Sequence, residues 1–218
     1  LEKNMSSQLS FSLNLVGNNP QIAREILIAL LPDVKTYFST RVSGIQDQIA
    51  DLLISSIMSE PEYTSLLQGS LFHEFGIPDP ASRIDDIFRT IRDGGVLTIK
   101  QPAISGNQIK GGFKISMVKQ DFNDLISLGG SSFITEKGST LNWLKWLLLE
   151  GDTIIISDYS YSVEGPGKSR TGLGVMVSGG SWRVPPEFAG NIKNNWITRA
   201  IDKAMPAIEA VVTRTMRG

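Results

Sequence analysis

The stretch Glu164-Gly165-Pro166-Gly167-Lys168-Ser169-Arg170-Thr171-Gly172 contains Gly-Lys-Ser, the closing residues of a phosphate-binding loop. Such a loop wraps phosphates with backbone N–H groups. It needs a first glycine five positions ahead of the one before the lysine, and a helix immediately after it. Ser162 stands where that glycine belongs, and Thr171-Gly172-Leu173-Gly174-Val175-Met176-Val177 reads as a strand. A nucleotide site on Gly167-Lys168-Ser169 is therefore kept as an alternative. The main expectation is a basic hairpin tip, with Lys168 and Arg170 held out by glycines and a proline.

Other chemistry is sparse. His73 is the only histidine and the chain has no cysteine, so multi-histidine metal sites, thiolate zinc sites, disulfides and cysteine nucleophiles are excluded. Asp85-Asp86 are adjacent on an expected helix and point apart, while Asp121 and Asp124 sit where a helix start is expected. No Gly-x-Ser-x-Gly elbow occurs. The expectation is a protein that is not an enzyme, with no cofactor and no metal.

Contact residues are easier to find. Lys110, Lys114, Lys168, Arg170 and Arg183 lie on or beside expected hairpins, and Trp182 and Phe188 offer aromatic surfaces that would suit stacked bases. The same types anchor protein interfaces, where Trp and Arg are favoured and a rigid Pro185-Pro186 loop loses little entropy on binding. Lys168, Arg170, Trp182, Arg183, Pro185, Pro186 and Phe188 are accordingly expected to contact neighbouring subunits or partners.

The rest of the chain must position these groups. Its 218 residues are 41% hydrophobic, enough for a core without covalent staples, and 21 Lys+Arg against 22 Asp+Glu leave a net charge of −1. The densest apolar run, Leu141 to Leu149, carries Lys145 and is less than half of a membrane span, so no membrane partner is expected.

Apolar spacing of three and four predicts helices over Ile22 to Leu30 and, from a start at Pro32-Asp33, over Tyr37 to Ile57. A further helix is expected at Ser59-Glu60-Pro61-Glu62, with Ser59 as cap and Glu62 reaching back to it, and another from Asp79-Pro80 to Asp93. Val96 to Ile99 and Gly112 to Val118, separated by Ser105-Gly106-Asn107, predict a hairpin. A short helix is expected at Gln120 to Leu128, a loop tip at Gly129-Gly130-Ser131-Ser132 and a helix at Leu141 to Leu149. Thr153 to Ser157 and Leu173 to Val177 predict a second hairpin. Gly179 to Pro186 reads as an irregular connector, and a helix bent at Pro206 runs from about Lys193 to Met216. The fold class is α+β: an antiparallel sheet packed with a long C-terminal helix, plus an N-terminal helical region. One domain is expected over residues 1–218, helical over about 20–93, hairpins and short helices over 95–190, and the last helix over 193–216.

The block LNWLKWLLLEG, DTIIISDYSYSVEGPGKSRTGLGVMV and SWRVPPEFAGNIKNNWITRAID, with PEYTSLLQGSLFHEFGIPDPASRIDDI upstream, resembles virion proteins of tailed bacteriophages. These are the neck or tail-completion proteins that join head to tail, and the likeness covers about residues 30 to 212. It implies a small α+β subunit assembled, as six or twelve copies, into a ring around the channel through which the genome leaves. Its partners would be itself and the portal, adaptor and tail proteins, with nonspecific DNA contact in the channel. Its place would be the virion neck, after assembly in the host cytoplasm. Under the resemblance, Trp182 to Phe188 would position the last helix and Gly165 to Gly172 would reach a neighbouring subunit; a tail terminator or tail-tube component is the alternative within the same class.

Overall fold

The computed structural model describes residues 6–14, 19–42, 44–93, 97–116, 122–135, 138–164 and 174–217. The protein is α+β, with antiparallel sheets and long helices near both ends. Its chain groups into two compact units: residues 1–51, 92–118 and 207–218 form the first, and 52–91 with 119–206 the second.

The first unit holds a three-stranded antiparallel sheet. Strands β2 (Leu97–Ser105) and β3 (Gln108–Ser116) form the expected hairpin, turning at Gly106-Asn107. Helix α1 (Pro20–Val42) packs along β2. A third strand, β1 (Ser6–Asn14), pairs with β3 from Ser6 opposite Ser116 to Asn14 opposite Gln108. This strand was not among those expected, although Leu9, Phe11 and Leu13 alternate with polar residues at the period of a strand.

Helix α1 also corrects the expected break at Pro32. The helix continues through the proline to Val42, and α2 (Ile45–Met58) begins after Gly44. Proline removes one N–H and so leaves the carbonyl of Ile28 without its partner. Ile28 is exposed, where water can serve that carbonyl.

In the second unit, α3 (Pro61–Gln68) and α4 (Ser70–Phe75) are followed by α5 (Pro80–Asp93). Gly76, at φ 60°, stops α4 in the left-handed conformation that glycine adopts without strain. The expected capping box is absent. The residue before α3 is Glu60, Pro61 opens the helix, and Ser59 donates instead to the Ser56 carbonyl at 2.6 Å.

Past the short helix α6 (Asn123–Ile126), Gly129–Ser131 form a 3₁₀ turn in which Gly130 and Ser131 are buried, so the expected loop tip is a packed corner. Trp143 Nε1 donates to the Gly130 carbonyl at 2.9 Å, and Arg83 donates to the carbonyls of Gly130 and Ser132 at 3.2 and 2.6 Å. Strands β4 (Phe133–Ile134) and β5 (Thr140–Leu141) pair beside it. Helix α7 (Trp143–Lys145) then widens into a π turn at Trp146–Glu150.

Strands β6 (Ile156–Ser162) and β7 (Val175–Trp182) form the second hairpin. Helix α8 (Trp196–Arg217) ends the chain with Pro206 inside it. It starts later than Lys193 because Asn191 and Asn195 organise the approach: Asn191 Oδ1 accepts the N–H groups of Lys193 and Asn194, and Asn195 Oδ1 accepts that of Thr198 at 3.0 Å. The stripe read from sequence is buried at Ile197, Ala200, Ile201, Ala204, Ile208 and Val212.

Candidate functional site

The expected contact residues gather around hairpin β6–β7 and the segment after it. The expected connector at Gly179-Gly180 is strand instead, since β7 runs through them to Trp182. Their φ values of 105° and 83° face Asp158 at φ 64°, where the ladder shifts register between Ser157 and Tyr159. Two glycines in the left-handed region opposite a left-handed aspartate make a bulge, which bends the ribbon while keeping its two ends in register. The irregular segment begins at Arg183.

Trp182 closes the base of this ribbon. It is 4% exposed, so its ring is not available as a partner anchor in this structure, and that expectation is corrected. It makes edge contacts with Phe75 and Trp146 at centroid separations of 5.6 and 5.7 Å, within the range where perpendicular rings attract. Its indole N–H donates to Glu74 Oε2 at 2.9 Å, which satisfies the one polar atom the burial would strand. Burial pushes the Glu74 carboxyl above its ordinary 4.5, the Trp182 hydrogen bond pulls it down, and the charge of Glu187 pushes it up again. Tyr161 on β6 is raised in turn by burial and by the Glu74 charge. Sequence offered only the aromatic flanks of Glu74, Phe72 and Phe75, as a signal.

The remaining expected residues divide. Arg183 and Pro186 are exposed, and Pro185 and Phe188 are half-buried, with the Phe188 N–H turned back onto the Pro185 carbonyl at 2.9 Å. These four share one short segment. Lys168 and Arg170, with Gly165 to Gly172, lie outside the described residues. The next element among the described residues is strand β7, which begins at Val175.

Beyond Phe188, the chain crosses the π turn at very close range. Gly151 donates to the Gly190 carbonyl at 3.0 Å, and a Cβ on Gly190 would stand 2.2 Å from the Leu147 carbonyl oxygen. Only glycine permits that approach. The buried amide of Asn195 donates to the Leu148 carbonyl at 3.2 Å and to the Asn191 carbonyl at 3.0 Å. A π turn leaves carbonyls unserved by its own helix, and Asn195 serves one of them.

Sequence reasoning also missed a buried ion-pair group. Glu60 and Glu62 are fully enclosed at the start of α3, and α8 supplies the countercharges. Arg199 Nε donates to Glu60 at 3.1 Å, Arg199 Nη2 bonds Glu62, and Lys203 bonds Glu60. Two acids against two bases leave the group neutral, the condition under which buried charges persist. It joins α3 to α8 and thereby braces the helix that follows the Arg183–Phe188 segment.

Among the described residues, no group of three or more His, Asp or Glu side chains could hold a metal ion. No described helix is long and apolar enough to cross a membrane. Comparison with protein-family models, with curated proteins and with solved structures gives no match.

Proposed function

We propose that this chain is a structural subunit of a tailed-bacteriophage neck, forming a ring that joins head-proximal proteins to the tail. The observation that supports an assembling subunit is helix α1. It buries Ala23, Leu27, Phe38 and Val42 on one side, yet Ile22, at 56% exposure, Ile26, Leu30 and Tyr37 stay open on another. A surface helix is normally apolar on one stripe only, and a second stripe marks a face that meets another molecule. The resemblance over residues 141–212 supplies the kind of assembly, and the exposed Arg183 and Pro186 supply further contact points.

Light scattering on the purified chain, together with mass spectrometry of virions, tests this reading. The expected result is a mass that is a closed multiple of 23.8 kDa, and the polypeptide in particles. Ile26→Asp with Leu30→Asp should lower that mass while circular dichroism shows the chain still folded, because neither side chain is buried within the single chain. A monomer at high concentration that is also missing from virions would sink the proposal.

A further inference from the structure

The two units carry opposite charge. Ten Lys and Arg against seven Asp and Glu give the first unit +3, and eleven against fifteen give the second −4, which together make the chain's −1. The positive excess has a location. Strands β1, β2 and β3 contain no acidic residue, and their basic residues are Lys100, Lys110 and Lys114, all exposed.

Register places these lysines together. Lys110 and Lys114 are four positions apart on β3 and so share a face, about 13 Å from each other. Lys100 of β2 pairs with Gly112, the residue midway between them, and therefore lies on that same face one strand away, at about 5 Å. Ile109, in the alternate register, is buried, which identifies the lysine face as the outer one. Ser10 and Ser12 of β1 pair with Gly112 and Lys110, and both are exposed beside the lysines. Among the described residues no carboxylate pairs with any of the three lysines.

From this arrangement we infer that the outer face of the β1–β3–β2 sheet is a contact surface for the phosphate backbone of duplex DNA. Choosing DNA over another polyanion rests on the neck reading; the charge and register of the surface do not. Lysine and serine are depleted at the centres of protein interfaces. Lysine with small hydroxyl and amide side chains is what contacts phosphate oxygens in protein–DNA complexes. No aromatic residue stands in the rows of the three lysines, so the face offers no stacking platform for unpaired bases. Contacts to phosphate position a duplex and carry no sequence information, so the contact is independent of sequence. Three phosphates per subunit is weak, and weak suits a surface past which DNA must slide; repetition around a ring would raise the total.

Fluorescence anisotropy of the full chain with a mixed-sequence duplex, from 50 to 200 mM salt, tests the surface. Three phosphate contacts predict a slope of about −2.7 in log affinity against log salt, or about 40-fold weaker binding across that range. Lys110→Gln should flatten the slope by about 1, and Lys100→Gln, Lys110→Gln and Lys114→Gln together should abolish binding with an unchanged melting temperature. Duplex binding that survives the triple substitution, or none at 50 mM, overturns the inference. So does salt-sensitive self-association that the triple substitution removes while DNA is ignored, for then the occupant is the acidic unit of a second copy. If the chain is missing from virions but its duplex binding depends on the three lysines, the neck reading fails and the surface stands.

Discussion

The two hairpins of this protein solve one problem in different ways. A two-stranded ribbon is marginal in water on its own and needs a neighbour. Hairpin β2–β3 takes its support along its length, from β1 on one edge and from α1 packed along β2. Hairpin β6–β7 has no third strand among the described residues, and the support that can be traced is at its base, where Trp182 sits between Phe75 and Trp146 and bonds Glu74. Lateral support makes a sheet whose outer face can be broad and polar. Basal support leaves most of a ribbon in solvent, with strands half-buried or exposed until the last residue.

Removing the basal support should have the largest effect. Trp182→Ala leaves a cavity among aromatic rings and strands the Glu74 carboxyl, for a cost of about 3–5 kcal/mol. Hydrogen exchange should then quicken across β6 and β7 while β2 and β3 keep their protection. Equal loss in both ribbons would erase the distinction.

Two glycines beside the strands sharpen it at smaller scale. Gly106 and Gly174 both have left-handed φ, of 60° and 72°. A Cβ on Gly106 meets nothing within 4 Å, whereas one on Gly174 would stand 2.4 Å from the Tyr161 hydroxyl. Gly106→Ala should cost the conformational penalty alone, about 1 kcal/mol, and Gly174→Ala about twice that, because the Tyr161 ring must also move. Denaturant unfolding of the two variants measures the difference, and equal costs would mean that the ring swings aside freely.

The smallest effect concerns the acid at the base. A carboxyl raised in the folded state holds its proton longer than in the unfolded chain, so stability falls as pH rises from the ordinary value of 4.5 through the higher folded value. Glu74→Gln retains an acceptor for Trp182 and removes that dependence. The variant should match the parent at pH 4 and exceed it modestly at pH 7; a parent that gains stability over this window relative to the variant would reverse the assignment.

Much of the fold was legible because it rests on local signals. The period of α8, the turn at Ser105-Gly106-Asn107 and the stop at Gly76 are written in adjacent residues, and all three stand in the structure. Two of the misreadings share a cause, since each depended on a distant partner. Glu62 has the spacing of a capping box, and only the arrival of Arg199 from α8 turns it into a buried ion pair. Trp182 looks like an interface anchor until Phe75, Trp146 and Glu74 enclose it. Pro32 signals a helix boundary, and the helix overrides it. At the candidate site Arg183 and Pro186 are exposed, while the charge split between the two units needed their boundaries to be known.

The crossing of Gly151 and Gly190 has a consequence for how this chain can vary over time. Surface positions such as Ile134 or Val163 can drift through many residue types, since they commit to little. At the crossing even one methyl group would have to occupy the space of a neighbouring backbone atom. Each glycine forbids a side chain on behalf of the other strand's main chain, so a change at either site cannot be rescued by a compensating change at its partner. Selection would therefore hold these two positions fixed together, and a diverged relative of this fold is best sought by that pair, spaced as it is here, sooner than by any charged or aromatic residue around it.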